Sequence, residues 1–196
     1  MKLIQHKEMP RMEGTNCVTV RVRVPGGGQE EPVLSQLITQ YGVTINIQAA
    51  LFDPQNQAEA WLDLELYGTP AALEDCLAVM RSRQWELVSL SAIREVTGVV
   101  TPVPVKTVPD GKVQRSHIHV RIPKAACDVP ILSGLVSGHG LVVNLRGGLL
   151  SPNHEGDGWF DLEVQGTPAQ IESGLDYLRQ RGLQVWQQAQ PADWSV

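Results

Sequence analysis

Val18, Val20, Val22 and Val24 alternate with Thr19, Arg21 and Arg23, the period-two pattern of a half-buried strand. Pro25-Gly26-Gly27-Gly28 breaks it, Pro32 opens a short helix, and Tyr41-Gly42 closes that helix with glycine as the stop signal. Val43, Ile45 and Ile47 alternate with Thr44, Asn46 and Gln48 as a second strand, and Asp53-Pro54-Gln55-Asn56 is a turn. Leu62, Leu64 and Leu66 alternate with Trp61, Asp63, Glu65 and Tyr67 as a third strand. Thr69-Pro70 pairs an N-cap with proline at the first helical position, predicting a helix to about Arg83 and then a fourth strand over 85–90.

The same pattern is then written again. Pro32-Val33-Leu34-Ser35 returns as Pro130-Ile131-Leu132-Ser133, and Trp61-Leu62-Asp63-Leu64-Glu65 as Trp159-Phe160-Asp161-Leu162-Glu163, each 98 residues on. Residues 18–88 align with 116–186 without a gap, and 23 of the 71 positions are identical. In the second copy Gln170 follows Thr167 by three residues, completing a capping box that the first copy lacks. Strand-helix-strand-strand-helix-strand is the split βαβ order, so the chain is predicted to be α+β, with two tandem ferredoxin-like (βαββαβ) domains and four-stranded antiparallel sheets. Their expected bounds are 15–90 and 113–188, joined by a Pro/Val-rich linker over 91–112 that turns at Asp110-Gly111 and followed by a tail over 189–196. A unit of this size buries little of its own surface, so the copies are expected to pack on each other as an intramolecular pseudo-dimer.

In a 4-1-3-2 strand order both helices cover one face of each sheet and leave the other open, with strands two and four as edges. Alternation sends valines and leucines under the helices. It sends Arg21, Arg23, Asn46, Trp61, Asp63 and Glu65 to the open face, with His119, Arg121, Asn144, Trp159, Asp161 and Glu163 in the second copy. Arginines beside carboxylates read as cross-strand ion pairs. A tryptophan at the same place in both copies calls for something to cover it, and packing between the copies is the expected cover. Trp186 and Trp194 are further candidates to dock on a groove.

Net charge -5 offers no general attraction to nucleic acid, and the carboxylates beside Trp61 and Trp159 oppose a phosphate backbone, so no nucleic-acid partner is expected. No apolar run is long enough for a transmembrane helix, and Met1-Lys2-Leu3-Ile4-Gln5-His6-Lys7-Glu8 lacks a signal-peptide core; a cytoplasmic protein is expected. Cys17, Cys76 and Cys127 are odd in number and far apart, and read as reduced, partly buried thiols. His117 and His119 share a strand face near Asp161 and Glu163, but Thr19 and Arg21 replace them in the first copy, and no metal is expected. Ser35 and Ser133 lack a nucleophile elbow and read as helix-capping or helix-lining groups. Neighbouring arginines would keep the paired carboxylates ionised, so neither catalysis nor a cofactor is expected.

Pro32, Leu34, Ser35, Asn46-Ile47-Gln48-Ala49-Ala50 and Gly68 resemble the recurring features of the NIL domain, a ferredoxin-like regulatory module of methionine-importer ATPases. Pro130, Leu132, Ser133, Asn144-Leu145-Arg146-Gly147-Gly148 and Gly166 repeat the resemblance. It implies pairing through sheet edges, with Asn46 and Asn144 near the seam and an amino-acid ligand, methionine-like, meeting Asn46, Gln48, Asn144 and Arg146. Gln48 and Arg146 stand where the family places an apolar residue. No phosphate-binding G-x-x-x-x-G-K-[ST] loop is present, so the module is expected without its ATPase. Two functions follow as expectations. One is a non-enzymatic adaptor docking a protein partner on Arg21, Arg23, Trp61, Glu65, His119, Arg121, Trp159 and Glu163. The other is an amino-acid sensor at the inter-domain cleft. Association with a second copy is compatible with both.

Overall fold

The structure, a computed structural model, describes residues 15–25, 31–52, 59–97, 111–153 and 155–187. The first unit runs β1 (Thr15–Val24), α1 (Val33–Tyr41), β2 (Thr44–Phe52), β3 (Ala60–Gly68), α2 (Pro70–Ser82) and β4 (Glu86–Ser89). A short β5 (Arg94–Val96) then pairs antiparallel with Thr15–Cys17 of β1, so the expected linker begins as sheet. The second unit runs β6 (Gln114–Ile122), α3 (Ile131–Ser133), β7 (Val142–Leu150), β8 (Gly158–Gly166), α4 (Pro168–Gln180) and β9 (Gln184–Gln187). Gly26–Gly28 of the break after β1, the 53–56 turn, most of the linker with Asp110, the N-terminal segment and the tail with Trp194 lie outside the described residues.

Both units have the 4-1-3-2 order, and their second strands meet, giving one nine-stranded sheet with the path β4-β1-β3-β2-β7-β8-β6-β9. Strand two is therefore an edge of its unit but not of the molecule. The helix ends follow the local chemistry. Thr69 and Thr167 accept from the backbones of Ala72 and Gln170, proline opens α2 and α4, and the capping box at Thr167 and Gln170 is present. Gly42 and Gly140 end the first helix of each unit at φ +63° and +64°, in the left-handed region glycine enters without strain.

One departure distinguishes the copies. Where α1 is a regular helix, α3 continues as a π-helix over Gly134–Gly138. There Gly134 makes room for Tyr177: a β-carbon at residue 134 would lie only 2.1 Å from the tyrosine hydroxyl. In the first unit Gln36 and Val79 occupy the corresponding positions, and Gln36 instead accepts from Arg83 at 2.8 Å.

The antiparallel β2–β7 pairing sets Leu51 opposite Leu149 and Ala50 opposite Leu150. Leu51 and Leu149 are equivalents in the repeat, so a pseudo-dyad runs through this pair, perpendicular to the sheet, and puts all the helices on one side. Beneath them the buried residues of both units form a single core cluster, from Val18 to Leu183.

Beyond the pairing, β2 and β7 diverge, and their outer backbone groups are closed by serines. Ser35 Oγ donates to the Val143 carbonyl at 2.6 Å and accepts from the Val143 N–H at 2.8 Å. Reciprocally, Ser133 Oγ accepts from the Ile45 N–H at 2.7 Å and donates to the Ile45 carbonyl at 3.1 Å. Both serines are buried. Neither helix is capped by a serine side chain; of the two expected roles, capping or lining, both serines lie within their helices, and their hydroxyls clamp the opposite unit.

Replacing Ser35 by Ala leaves a buried N–H and C=O without this partner, a loss of about 1–3 kcal/mol. Chemical denaturation is expected to show that loss for Ser35→Ala and for Ser133→Ala, with Ser35→Ala/Ser133→Ala lower still. Thr39→Ala, which removes a hydroxyl bonded only within its own helix, is expected to lose less.

Candidate functional site

The face opposite the helices is built by strand alternation. Arg21, Arg23, Trp61, Asp63 and Glu65 all stand on it, as do His119, Arg121, Trp159, Asp161 and Glu163. Arg21 forks onto Asp63, with Nε to Oδ1 at 2.6 Å and Nη2 to Oδ2 at 2.7 Å. In the second unit a histidine takes the same place, and His119 Nδ1 contacts Asp161. Arg23 bridges Glu59 and Glu86, at 2.5 and 2.7 Å; Arg121 pairs with Asp157 and reaches Gln184 at 3.0 Å. The Arg121 hydrogen bond, reinforced by the Lys124 backbone N–H, holds Asp157 below the usual carboxylate range.

Glu65 departs from expectation. Its hydrogen bonds come from Gln48 and from the Tyr67 hydroxyl, each at 2.7 Å, rather than from an arginine. Burial, and then this bond to Glu65, push the Tyr67 phenol up. Glu163 has Arg115 at 3.8 Å, His117 at 3.7 Å and Gln165 at 3.2 Å.

The tryptophans correct another expectation: the copies do not cover them. Trp61 is 42% exposed and Trp159 45%, with Leu51 and Leu149 at 55% and 57%. Arg23 lies 5.9 Å from the Trp61 ring centre and Arg121 lies 5.8 Å from that of Trp159. Trp186, on β9, stacks on Trp159 with centroids 5.8 Å apart and planes 22° apart, so its groove is its own sheet face.

These residues share one line across the sheet. Cross-strand register runs Glu86, Arg23, Trp61, Leu51, Leu149, Trp159, Arg121, Gln184. Read from either end, the row gives an acid or amide, arginine, tryptophan and leucine. Sequence reasoning found its arginines and tryptophans but missed Leu51 and Leu149, although both are identical across the 98-residue offset. A groove of about 420 Å³ lies beside the centre of the row, lined by Arg21, Ala49, Leu51, Trp61 and Pro152 among others.

Of the four residues expected to meet a ligand, Asn46 and Asn144 line cavities at the seam, whereas Gln48 and Arg146 line neither and Gln48 bonds Glu65 instead. Asn46 and Asn144 are buried, each beside the residue clamped by the other unit's serine. Gln48 and Arg146 sit at matching β-bulges, between Ile47 and Ala49 and between Leu145 and Gly147. Two cavities are related by the pseudo-dyad. One combines Val24, Val33 and Leu34 with Asn144; the other combines Ile122, Ile131 and Leu132 with Asn46. Their volumes, about 30 and 10 Å³, hold about two waters and one.

Among the described residues no group of three or more His, Cys, Asp or Glu is placed to hold a metal ion, and no helix is long and apolar enough to cross a membrane. Cys17, Cys76 and Cys127 are free and buried. Burial foremost, with a lesser contribution from Asp75, pushes the Cys76 thiol up to about 12.

The model of the NIL domain family matches residues 18–87 and again 116–187. An uncharacterized protein of Synechococcus elongatus is 34% identical over 70 residues, covering 36% of this chain and 86% of that protein. Among solved structures, the chain is similar to the regulatory subunit of aspartate kinase from Thermus thermophilus, at 13% identity and TM-score 0.27, covering 86% of this chain and 97% of that one. It is also similar to an unknown protein from Galdieria sulphuraria, at 13% identity and TM-score 0.27, covering 89% and 98%. Likenesses this distant carry nothing about function.

The Trp159–Trp186 stack should give the wild-type protein a near-ultraviolet circular dichroism signal that Trp186→Ala abolishes. Because both rings are half-exposed, the same substitution is expected to cost only about 0.5–1.5 kcal/mol in a denaturant melt.

Proposed function

The chain belongs to the NIL domain family, which it carries as a tandem pair, and from that premise we propose that it is a non-enzymatic adaptor whose open sheet face docks a protein partner. The observation that carries this reading is the exposed Trp61-Leu51-Leu149-Trp159 row. Half-exposed tryptophans and leucines in contiguous register make an apolar strip of the kind that marks an interaction surface. The flanking Arg23 and Arg121 are already paired with carboxylates, so the strip has an apolar centre and a polar rim in which the acidic groups outnumber the arginines, the anatomy of a protein interface. A rim whose arginines are taken up by carboxylates is poorly suited to a phosphate backbone. The carboxylates of this face are taken up within it, Asp63 by Arg21 and Glu65 by Gln48 and Tyr67.

The test is capture from native lysate of the source organism. Immobilised wild-type protein is expected to retain a stoichiometric partner, and Trp61→Ala/Trp159→Ala to lose at least about tenfold of it at unchanged fold. A partner retained equally by both proteins, or none by either, would sink the adaptor.

The twin seam cavities favour a second reading, an amino-acid sensor of methionine-like specificity, because each sets a buried asparagine of one unit against a helix start of the other. Cavities of one or two waters require the seam to open before an amino acid enters. A ligand bound only by the folded state raises the melting temperature by mass action. A thermal-shift series of amino acids at millimolar concentration is expected to yield a hit that Asn46→Ala and Asn144→Ala abolish. A series without a hit removes this reading and leaves the adaptor standing.

A further inference from the structure

We infer that the open face is a self-association surface, and that its occupant is a second copy of this chain, stacked sheet on sheet with the two pseudo-dyads coincident. The inference rests on the adaptor reading only in taking this face as the docking surface, and it names the partner from the symmetry of the row.

An isologous dimer needs a patch that is its own complement under a two-fold rotation. Here the central row already has two-fold symmetry, because Leu51 pairs with Leu149 on the pseudo-dyad and Trp61 and Trp159, then Arg23 and Arg121, follow outward on each side, with Trp186 beside Trp159 matched by Val88 in the other half. A second copy turned face down about an axis in the sheet plane, along or across the strands, sets leucine over leucine and tryptophan over tryptophan. Each favourable contact is then made several times over. An unrelated partner gains nothing from this repetition.

Charge permits the stacking. Like charges brought face to face repel unless they are neutralised within their own copy. Arg21 is forked onto Asp63, Arg23 is held by Glu59 and Glu86, Arg121 by Asp157, and His119 contacts Asp161. The arginines of the face are thus matched by carboxylates of their own copy, and the surplus carboxylates, Glu86 at the end of the row and Glu65 hydrogen-bonded to Gln48 and Tyr67, lie away from the apolar middle that meets its duplicate.

Area permits it as well. Strands about 4.8 Å apart make the eight-strand path about 34 Å wide, and about 25 Å of strand length gives about 800 Å² per copy, the size of a standard stable interface. Aligned sheets pack about 10 Å apart, with side chains from the two inner faces interdigitating. The alternative route to growth, edge to edge, is poor: β4 and β9, at the two ends of the sheet path, have four residues each, too few to template a long added strand.

The experiment is sedimentation velocity of the full chain from 1 to 100 µM, with two sets of variants. Wild type is expected to sediment as a dimer of the 21.5 kDa chain. Trp61→Glu/Trp159→Glu is expected to weaken the dimer at least about tenfold while keeping the far-ultraviolet spectrum of a folded protein. Chains carrying Leu51→Cys, alone and mixed with Leu149→Cys chains, should form an intermolecular disulfide under mild oxidation, since the native cysteines are buried. The cross-link decides the matter if the glutamate variant fails to fold. A wild-type chain that stays monomeric at 100 µM overturns the inference and leaves the face to another protein or to one of the chain's own segments. A dimer that survives folded Trp61→Glu/Trp159→Glu, or that yields no cross-link, overturns it by placing the interface elsewhere. Monomeric wild type with tryptophan-dependent capture of a different protein would sink self-association while sparing the adaptor.

Discussion

An edge strand whose outward N–H and C=O groups are buried must find them partners, and this requirement organises the molecule. Each unit has such an edge at its second strand. Near Leu51 and Leu149 the two edges satisfy each other by pairing. Around Ile45 and Val143, where the strands have diverged, one buried hydroxyl from each side serves both the donor and the acceptor of the opposite strand. The serine works because a hydroxyl is donor and acceptor at once. It is delivered by a helix that starts with Pro-x-Leu-Ser, so the same short motif sets the helix start and the contact between units.

The location of the face follows. Antiparallel pairing of the second strands fixes a dyad perpendicular to the sheet, and that dyad puts every helix on one side. The core between helices and sheet is then continuous across the seam, and the opposite face is left with only what the strands themselves present. On that face the ion pairs are spent internally, which leaves tryptophan and leucine as its exposed apolar chemistry. Two asymmetries between the copies, histidine for arginine opposite the inner aspartate and a π-helix for an α-helix near Tyr177, lie away from the Trp-Leu-Leu-Trp line; a third, Trp186 where the first copy has Val88, touches its Trp159 end.

Much of this was legible in the amino-acid order. Alternation at Val18–Val24 and at Leu62, Leu64 and Leu66 defined strands and faces, Thr69-Pro70 and Thr167-Pro168 defined helix starts, and the 98-residue offset defined the duplication. The arginines and tryptophans of the open face were legible for the same reason. What escaped was what depends on the copies' placement. Ser35 looks like any helix serine until the strand opposite it is known, and Leu51 reads as an ordinary strand residue until its partner is its own repeat. Arg94–Val96 escaped because a three-residue strand has no period to detect. The exposure of Trp61 escaped because alternation assigns a face and says nothing about what lies above it.

The reciprocal serine clamp has a consequence for the chain as a polymer. A strand edge gripped by the twin half is chemically indifferent to whether that half belongs to its own backbone or to a neighbour's. Only the tether between β5 and β6 favours the internal match, by holding the halves at a high effective concentration. Shortening that tether below the span it must cross would not abolish the clasp but redirect it, and the halves would then trade places between molecules in an exchanged assembly.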